Sequence, residues 1–300
     1  MSDQVYRNPI PNYGFQTLHT LTEGLNIKDY LTLEELHKDL MRGGALIIKG
    51  FSDGVDDFNS LIECFSKKVT KDPARKSSTK HTAEIKAGVE EMGLHMENGN
   101  LPYCPDIQWF YCMQPAARGS ETTLCDGEQV YQKMAPEVRR LFESNRIKYD
   151  RLIPWDNVKS YLSVELEKPF ESVDYGDLEY VNEIHPGQNY SVFDRNLVKS
   201  ERFVSAIQTS IFSGRQAFCN SILGPSFNYE PPKITWEDGR QIDIRVFDEV
   251  KRVTESLTYD HFWEEGDMMI VDNSRVMHGR RYLKDPNRRI FGAQSYIKGV

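Results

Sequence analysis

From Gly93 onward the apolar residues of this chain come in short, aromatic-rich runs separated by turn residues, and strands of that length bury themselves only by pairing with remote partners. Runs that read as strands cover 94–97, 107–113, 122–125, 146–153, 189–193 and 217–222, with two more at 268–272 and 290–297. Helical spacing intervenes at 129–144, interrupted near Pro136, at 176–184 and at 243–257, while Asp238-Gly239 carries a hairpin signal. This pattern predicts a mainly β fold with flanking helices, a sandwich or jelly-roll.

The first ninety residues read differently. Thr32 and Glu35 make a capping box ahead of Leu33, Leu36, Leu40 and Met41, and Gly43-Gly44 closes the helix they begin. A buried strand is expected at 45–49 and a second helix over 55–69, with Phe58, Leu61, Ile62 and Phe65 on one face. The polar, basic stretch 67–86 reads as an exposed loop. With no internal repeat and no linker-like segment, residues 1–300 are expected to form one domain. Its helical part would span about 1–90, and its β core about 91–300 with an insertion at about 154–216.

Charge narrows the partners. The chain has 37 Lys+Arg against 45 Asp+Glu, a formal charge of −8, so it lacks the positive field that non-specific nucleic-acid binding needs. Its longest apolar runs fall far short of the roughly 20 residues of a membrane span, and its start has no secretory h-region, so a soluble, cytoplasmic protein is expected. Five cysteines, none spaced Cys-x-x-Cys, argue for reduced packing thiols over disulfides or a thiolate zinc site.

The residues able to do chemistry are few. His95 and Glu97 are two apart in an expected strand or its end, where side chains i and i+2 share a face, so an imidazole and a carboxylate converge. His278 lies far downstream, after an apolar strand and Asp272-Asn273. Two imidazoles and one carboxylate with other positions open are the facial triad of non-haem Fe(II) oxygenases, although His-x-Glu alone is a common accident.

Longer motifs accompany the triad. Gly93-Leu-His95-Met-Glu97, Pro102-Tyr103 with Pro105-Asp106-Ile107, and Gly119-Ser-Glu-Thr122-Thr-Leu124 with Asp126 resemble the metal-binding half of the taurine dioxygenase family, which includes clavaminate synthase. Gly266-Asp267 through Asp272-Asn273, Met277-His278-Gly279-Arg280 and Arg288-Arg289-Ile290 resemble its C-terminal half. The resemblance implies a double-stranded β-helix that uses Fe(II), 2-oxoglutarate and O2. It implies His95, Glu97 and His278 as iron ligands, and a carboxylate at position 97 speaks for oxygenation over halogenation. By position, Arg289 would bind the far carboxylate of 2-oxoglutarate, with Arg288 the alternative on the other face, and Thr122 would support the same carboxylate, with Thr123 next in line. Asn220 and Arg280 are candidate substrate contacts.

The family's second arginine, four residues after the first, is here Ala293, so a taurine-like anion would need Arg275, Arg280, Arg281 or the 67–86 loop instead. The expected reaction is hydroxylation of an unactivated C–H bond in a small, amino-acid-derived or specialised metabolite; ring closure or desaturation would use the same iron chemistry. Two rivals come from other classes. A zinc hydrolase would lack its usual His-Glu-x-x-His helix, and a barrel that only binds ligand would be expected to have lost one of these residues.

Overall fold

The computed structural model describes residues 4–70, 79–85, 88–225 and 230–300. The N-terminal part supplies β1 (Val5–Pro9), β2 (Gln16–Thr20), α1 (Leu33–Gly43), β3 (Ala45–Lys49), α2 (Val55–Phe65), β4 (Ser66–Thr70) and β5 (Ala83–Glu84). Then follow β6 (Met92–His95), β7 (Ile107–Gln114), β8 (Thr122–Asp126), α3 (Gly127–Lys133) and α4 (Pro136–Ser144). The middle holds β9 (Ile147–Pro154), α5 (Trp155–Glu165), α6 (Tyr175–Ile184), β10 (Gln188–Val192), β11 (Leu197–Val204), β12 (Ile207–Thr209), β13 (Gln216–Phe218) and β14 (Lys233–Trp236). The chain ends with α7 (Ile244–Leu257), β15 (Thr258–His261), β16 (Met268–Asp272), β17 (Val276–Arg280) and β18 (Arg289–Ile297).

Two sheets make the jelly-roll, and neither closes on itself. The larger runs β1-β2-β3-β16-β7-β18-β4 with β5 added on β18, and the smaller runs β15-β8-β17-β6. Between them lies a core drawn from alternate positions of both: Ala45 and Ile47, Phe110 and Cys112, Met269 and Val271, and Ile290 from one side, Leu124 and Val276 from the other. The opposite face of the large sheet is covered by Leu36 and Leu40 of α1 and by Phe58, Leu61, Ile62 and Phe65 of α2, which pack on Trp109, Ile270, Phe291 and Ala293. The opposite face of the small sheet, including Cys125 and Met277, packs against α3, α4 and α7. Each strand is thereby given an inward and an outward set of residues, which decides what can reach a site between the sheets.

α1 forms as its sequence predicts. Thr32 Oγ1 accepts from Glu35 N–H at 3.2 Å, Glu35 Oε2 accepts from Thr32 N–H at 2.9 Å, and Gly44 ends the helix at φ 73°. The second helix is shorter than its apolar periodicity predicts. It stops at Phe65, because Ser66–Thr70 pair with the last strand, Gln294 opposite Thr70 and Ser295 opposite Val69. The N-terminal ninety residues are thus not mainly helical: β1 to β5 all join the large sheet. Of the expected 67–86 loop, 71–78 and 86–87 lie outside the described residues, and its flanks are β4 and β5. Asp238-Gly239 makes a turn, with Trp236 N–H donating to Arg240 O at 2.9 Å, but no second strand follows; β14 pairs with β9 instead.

The middle segment builds a separate sheet, β10-β11-β9-β14, with α5 and α6 packed on one face around Ile153, Val158, Leu162, Val181 and Val198. Its edge strand β10 is blocked, since the Asn182 side chain both donates to Tyr190 O at 2.8 Å and accepts from Tyr190 N–H at 2.6 Å. No helix among the described residues is long and apolar enough to cross a membrane. The five cysteines are free thiols, and burial pushes the Cys104 thiol up to about 11 and Cys112 to about 12.

Candidate metal centre

Pairing of β6 with β17 sets His95 directly opposite His278, so two imidazoles from distant parts of the chain share one face with ring centroids 4.4 Å apart. Gly279 permits the approach: a Cβ there would lie 2.4 Å from Met92 O. His278 follows the apolar strand β16 as expected and is itself a member of the next strand, β17. Glu97 arrives differently from the i, i+2 alternation expected of a strand, because β6 ends at His95 and Glu97 stands in a turn.

What brings the carboxylate in is Asn273. Its Oδ1 accepts from Glu97 N–H at 2.8 Å, and its Nδ2 donates to Glu97 O at 3.0 Å and to Pro105 O at 2.8 Å. Asn273 is wholly buried and fastens the turn after β6 to the end of β16. Its motif is visible in the sequence, but its role as a clamp is not, since the partner backbone is remote.

His95, Glu97 and His278 are all buried, and one ligand-type atom from each lies within 4.8 Å of the others. His278 Nε2 is 3.4 Å from Glu97 Oε2. His95 Nδ1 is 2.8 Å from Gly93 O, a contact that places the proton on Nδ1 and the lone pair on Nε2, the tautomer a metal ion requires. The Phe110 ring meets His278 edge-on at 5.3 Å, fixing its plane.

A cavity opens on this cluster, lined also by Ile85, Met92, Phe110, Thr122, Arg280 and Arg288. Thr122 faces inward as expected. Its Oγ1 accepts from Trp263 Nε1 at 2.9 Å and from Arg288 Nη2 at 3.1 Å. With both lone pairs occupied, its own proton is left to donate into the cavity. Trp263, part of the inter-sheet core, is a contact that residue patterns alone do not single out.

Arg289 is not in this cavity. It shares the outward face of Phe291, stacks over that ring at 5.6 Å and pairs with Glu84 at 3.3 Å. Arg288 takes the inward side with Ile290, two residues on. The Nε of Arg288 is buried without a hydrogen-bond partner, and burial together with neighbouring Arg280 pulls its pKa down to about 10. A guanidinium in that condition is complementary to a carboxylate. Four residues beyond it stands Gly292, which offers no side chain, so no second arginine faces the cavity from this strand.

The other candidates resolve by contact. Arg280 lines the cavity, but its Nη2 donates to Gly88 O at 2.9 Å and Glu90 O at 2.8 Å, which makes it a brace for the wall. Asn220 is not among the residues lining this cavity: its Nδ2 donates to Ala206 O and its Oδ1 accepts from Ile222 N–H, both at 3.0 Å, so its amide holds a loop together. Arg275 is bound through two nitrogens to Asp126, at 2.9 and 2.8 Å, and Arg281 to Asp260 and Glu255, so neither is open to a ligand anion.

Comparison with known proteins gives concordant results. The family model for the taurine catabolism dioxygenase TauD, TfdA family matches residues 9–294. The dapdiamide synthesis protein DdaC of Enterobacter agglomerans is 24% identical over 278 residues, covering 87% of this chain and 84% of its own. A clavaminate synthase-like protein of Arabidopsis thaliana is 23% identical over 272 residues, covering 85% and 82%. Among solved structures, a taurine dioxygenase from Burkholderia xenovorans superposes with a TM-score of 0.64 at 13% identity, covering 99% of this chain and 90% of its own. PvcB from Pseudomonas aeruginosa does so with 0.63 at 14% identity, covering 99% and 93%.

Proposed function

The chain belongs to the TauD, TfdA family of dioxygenases, and from that membership we propose that it oxidises an unactivated C–H bond of a small, amino-acid-derived or specialised metabolite, with hydroxylation as the outcome. The protein is an Fe(II)- and 2-oxoglutarate-dependent oxidoreductase; a zinc hydrolase and a non-catalytic barrel give way to that class. In this reading His95, Glu97 and His278 hold the iron, and Arg288 with Thr122 holds the far carboxylate of 2-oxoglutarate, Arg289 having no part. The observation that carries it is the three-residue cluster facing a cavity whose guanidinium, that of Arg288, has a neutral hydroxyl and no carboxylate as its partner among the described residues. One relative named for dapdiamide synthesis and another likened to clavaminate synthase support a biosynthetic substrate.

When bound, Fe(II) and 2-oxoglutarate reduce O2 as the keto acid is decarboxylated to succinate and CO2, leaving one oxygen atom for the substrate. The chain's own part is to position and to exclude. His95 presents Nε2 because Gly93 O fixes its tautomer, and Asn273 holds the backbone from which Glu97 reaches in. Arg288 and the Thr122 hydroxyl orient the co-substrate by charge and by one aimed proton. Ile85, Met92 and Phe110 give the cavity apolar walls that keep water from the reacting centre. Ring closure and desaturation would use the same residues with the substrate held differently.

Anaerobic addition of Fe(II) and 2-oxoglutarate should produce a weak visible charge-transfer band. His278→Ala should lose both the band and succinate release while keeping its far-UV circular dichroism. A wild-type band in that variant would remove His278 from the metal centre.

A further inference from the structure

We propose that the inner face of the inserted sheet carries an anion site, built on Arg202 with Tyr103 and His185, which receives a carboxylate of the organic substrate. This rests on the iron and 2-oxoglutarate reading above and gives it a substrate class.

Cross-strand register fixes which way Arg202 points. It stands opposite Tyr149 on β9 and Gln188 on β10, on the face shared with Arg151, Tyr190 and Val198, which packs toward α5, α6 and the turn after Glu97. The neighbouring acid, Glu201, lies on the other face, where Lys148 and Lys199 pair with it at 2.9 and 3.2 Å. Arg202 makes no ion pair among the described residues, and its Nε and Nη1 are buried without a hydrogen-bond partner. Tyr103 Oη and His185 Nε2 are buried and unbonded as well, and their rings meet edge to face at 4.3 Å. Burial and the adjacent Arg202 charge lower the His185 pKa, so the imidazole stays neutral and adds no second cation.

Each unpaired buried donor costs about 1–3 kcal/mol, and an uncompensated buried cation more. Arg202 on the sheet face, with Tyr103 from the turn after Glu97 and His185 from the end of α6, thus brings together three half-buried side chains whose inner polar atoms are unpaired, and together they fit one ligand: a planar anion that takes the guanidinium fork and accepts or shares further hydrogen bonds with a phenol and an imidazole. The place favours substrate. Tyr103 is six residues past Glu97, and the turn between them is pinned by Leu101 N–H to Asn98 O at 2.8 Å, by Asn100 to Pro225 O, and by Arg151 to Asn100 Oδ1 at 3.4 Å. A carboxylate held here therefore touches the same turn that carries the acid of the metal cluster. A free carboxylate acting as an effector has the same chemistry, and the test separates the two.

The holoenzyme would be loaded anaerobically with Fe(II) and saturating 2-oxoglutarate, and its melting temperature followed with acetate and with acetamide at constant ionic strength. Acetate should raise it in the wild type and not in Arg202→Met, and acetamide should do nothing in either. A panel of L-amino acids and dipeptides would then be compared with their carboxamides for perturbation of the charge-transfer band and for succinate release. The acids should act at concentrations at least tenfold lower than the amides, and Arg202→Met should erase that difference. Tyr103→Phe should weaken acetate binding several-fold without lowering the melting temperature, since it deletes only an unbonded hydroxyl, and it serves if Arg202→Met does not fold. Equal acetate effects in wild type and both variants would overturn the site. Acetate binding lost in the variants, with acids and amides equally active, would assign the site to an effector and overturn the substrate claim. Failure of the band to form in wild type would strike the iron reading instead.

Discussion

A guanidinium buried beside a neutral hydroxyl, as Arg288 is beside Thr122, keeps its charge at a cost that an incoming anion offsets. Arg288→Met should weaken 2-oxoglutarate about a hundredfold, the equivalent of about 3 kcal/mol for two charge-assisted hydrogen bonds, read by titrating the charge-transfer band. Arg289→Met, which removes a pair with Glu84 and the stacking over Phe291, both outside the cavity, should leave that titration unchanged. Trp263→Phe keeps an aromatic ring but deletes the N–H that occupies Thr122 Oγ1, freeing the hydroxyl to rotate. About 1 kcal/mol, or roughly fivefold in 2-oxoglutarate affinity with Fe(II) affinity unaltered, is the expected result. The choice between the two arginines illustrates the limit of counting along a chain. Ile290 and Phe291 are both apolar and both buried, one between the sheets and one beneath α2, so hydrophobic alternation gives no parity for the residues before them.

At the level of elements, local signals were legible and remote ones were not. The capping box of α1 and the αL glycine after it depend on residues within one turn, and both formed. The end of α2 depends on the last strand of the chain claiming Ser66–Thr70, which no local window contains. The three residues of the candidate metal cluster were legible through the longer motifs around them, since His-x-Glu by itself says little. The means of bringing Glu97 to them was not, because the turn after β6 is held by Asn273 from another strand. Asn273→Ala leaves the Glu97 N–H without its partner and should lower Fe(II) affinity about 10–100-fold, measured by anaerobic metal titration. Asn273→Asp keeps the acceptor for that N–H and loses the two donated bonds, so its affinity should fall between the two.

For the whole molecule, Asp272 links the segment after β12 to β16. It is fully buried, accepts from Ser210 Oγ at 2.8 Å and from Ser274 N–H at 2.9 Å, and burial raises its pKa to about 6 from the ordinary 3.8. The fold therefore takes up a proton that the unfolded chain releases. On this account the Asp272 contribution to stability is greatest below about pH 4 and is lost as pH climbs through 6, by an amount on the order of 3 kcal/mol. Urea unfolding between pH 4.5 and 7.5 should show the midpoint falling in wild type and a flatter profile in Asp272→Asn, which stays neutral throughout. The least legible region was the middle of the chain: α5 and β11 have no clear period, and their order comes from a small core of their own around Val158, Leu162 and Val198. That separateness has a further consequence. The sheet bearing Arg202 is not the sheet bearing His95 and His278, so exchanging 147–204 together with β14 and the turn that carries Tyr103 for those of a relative should retarget the oxidation while sparing the iron ligands.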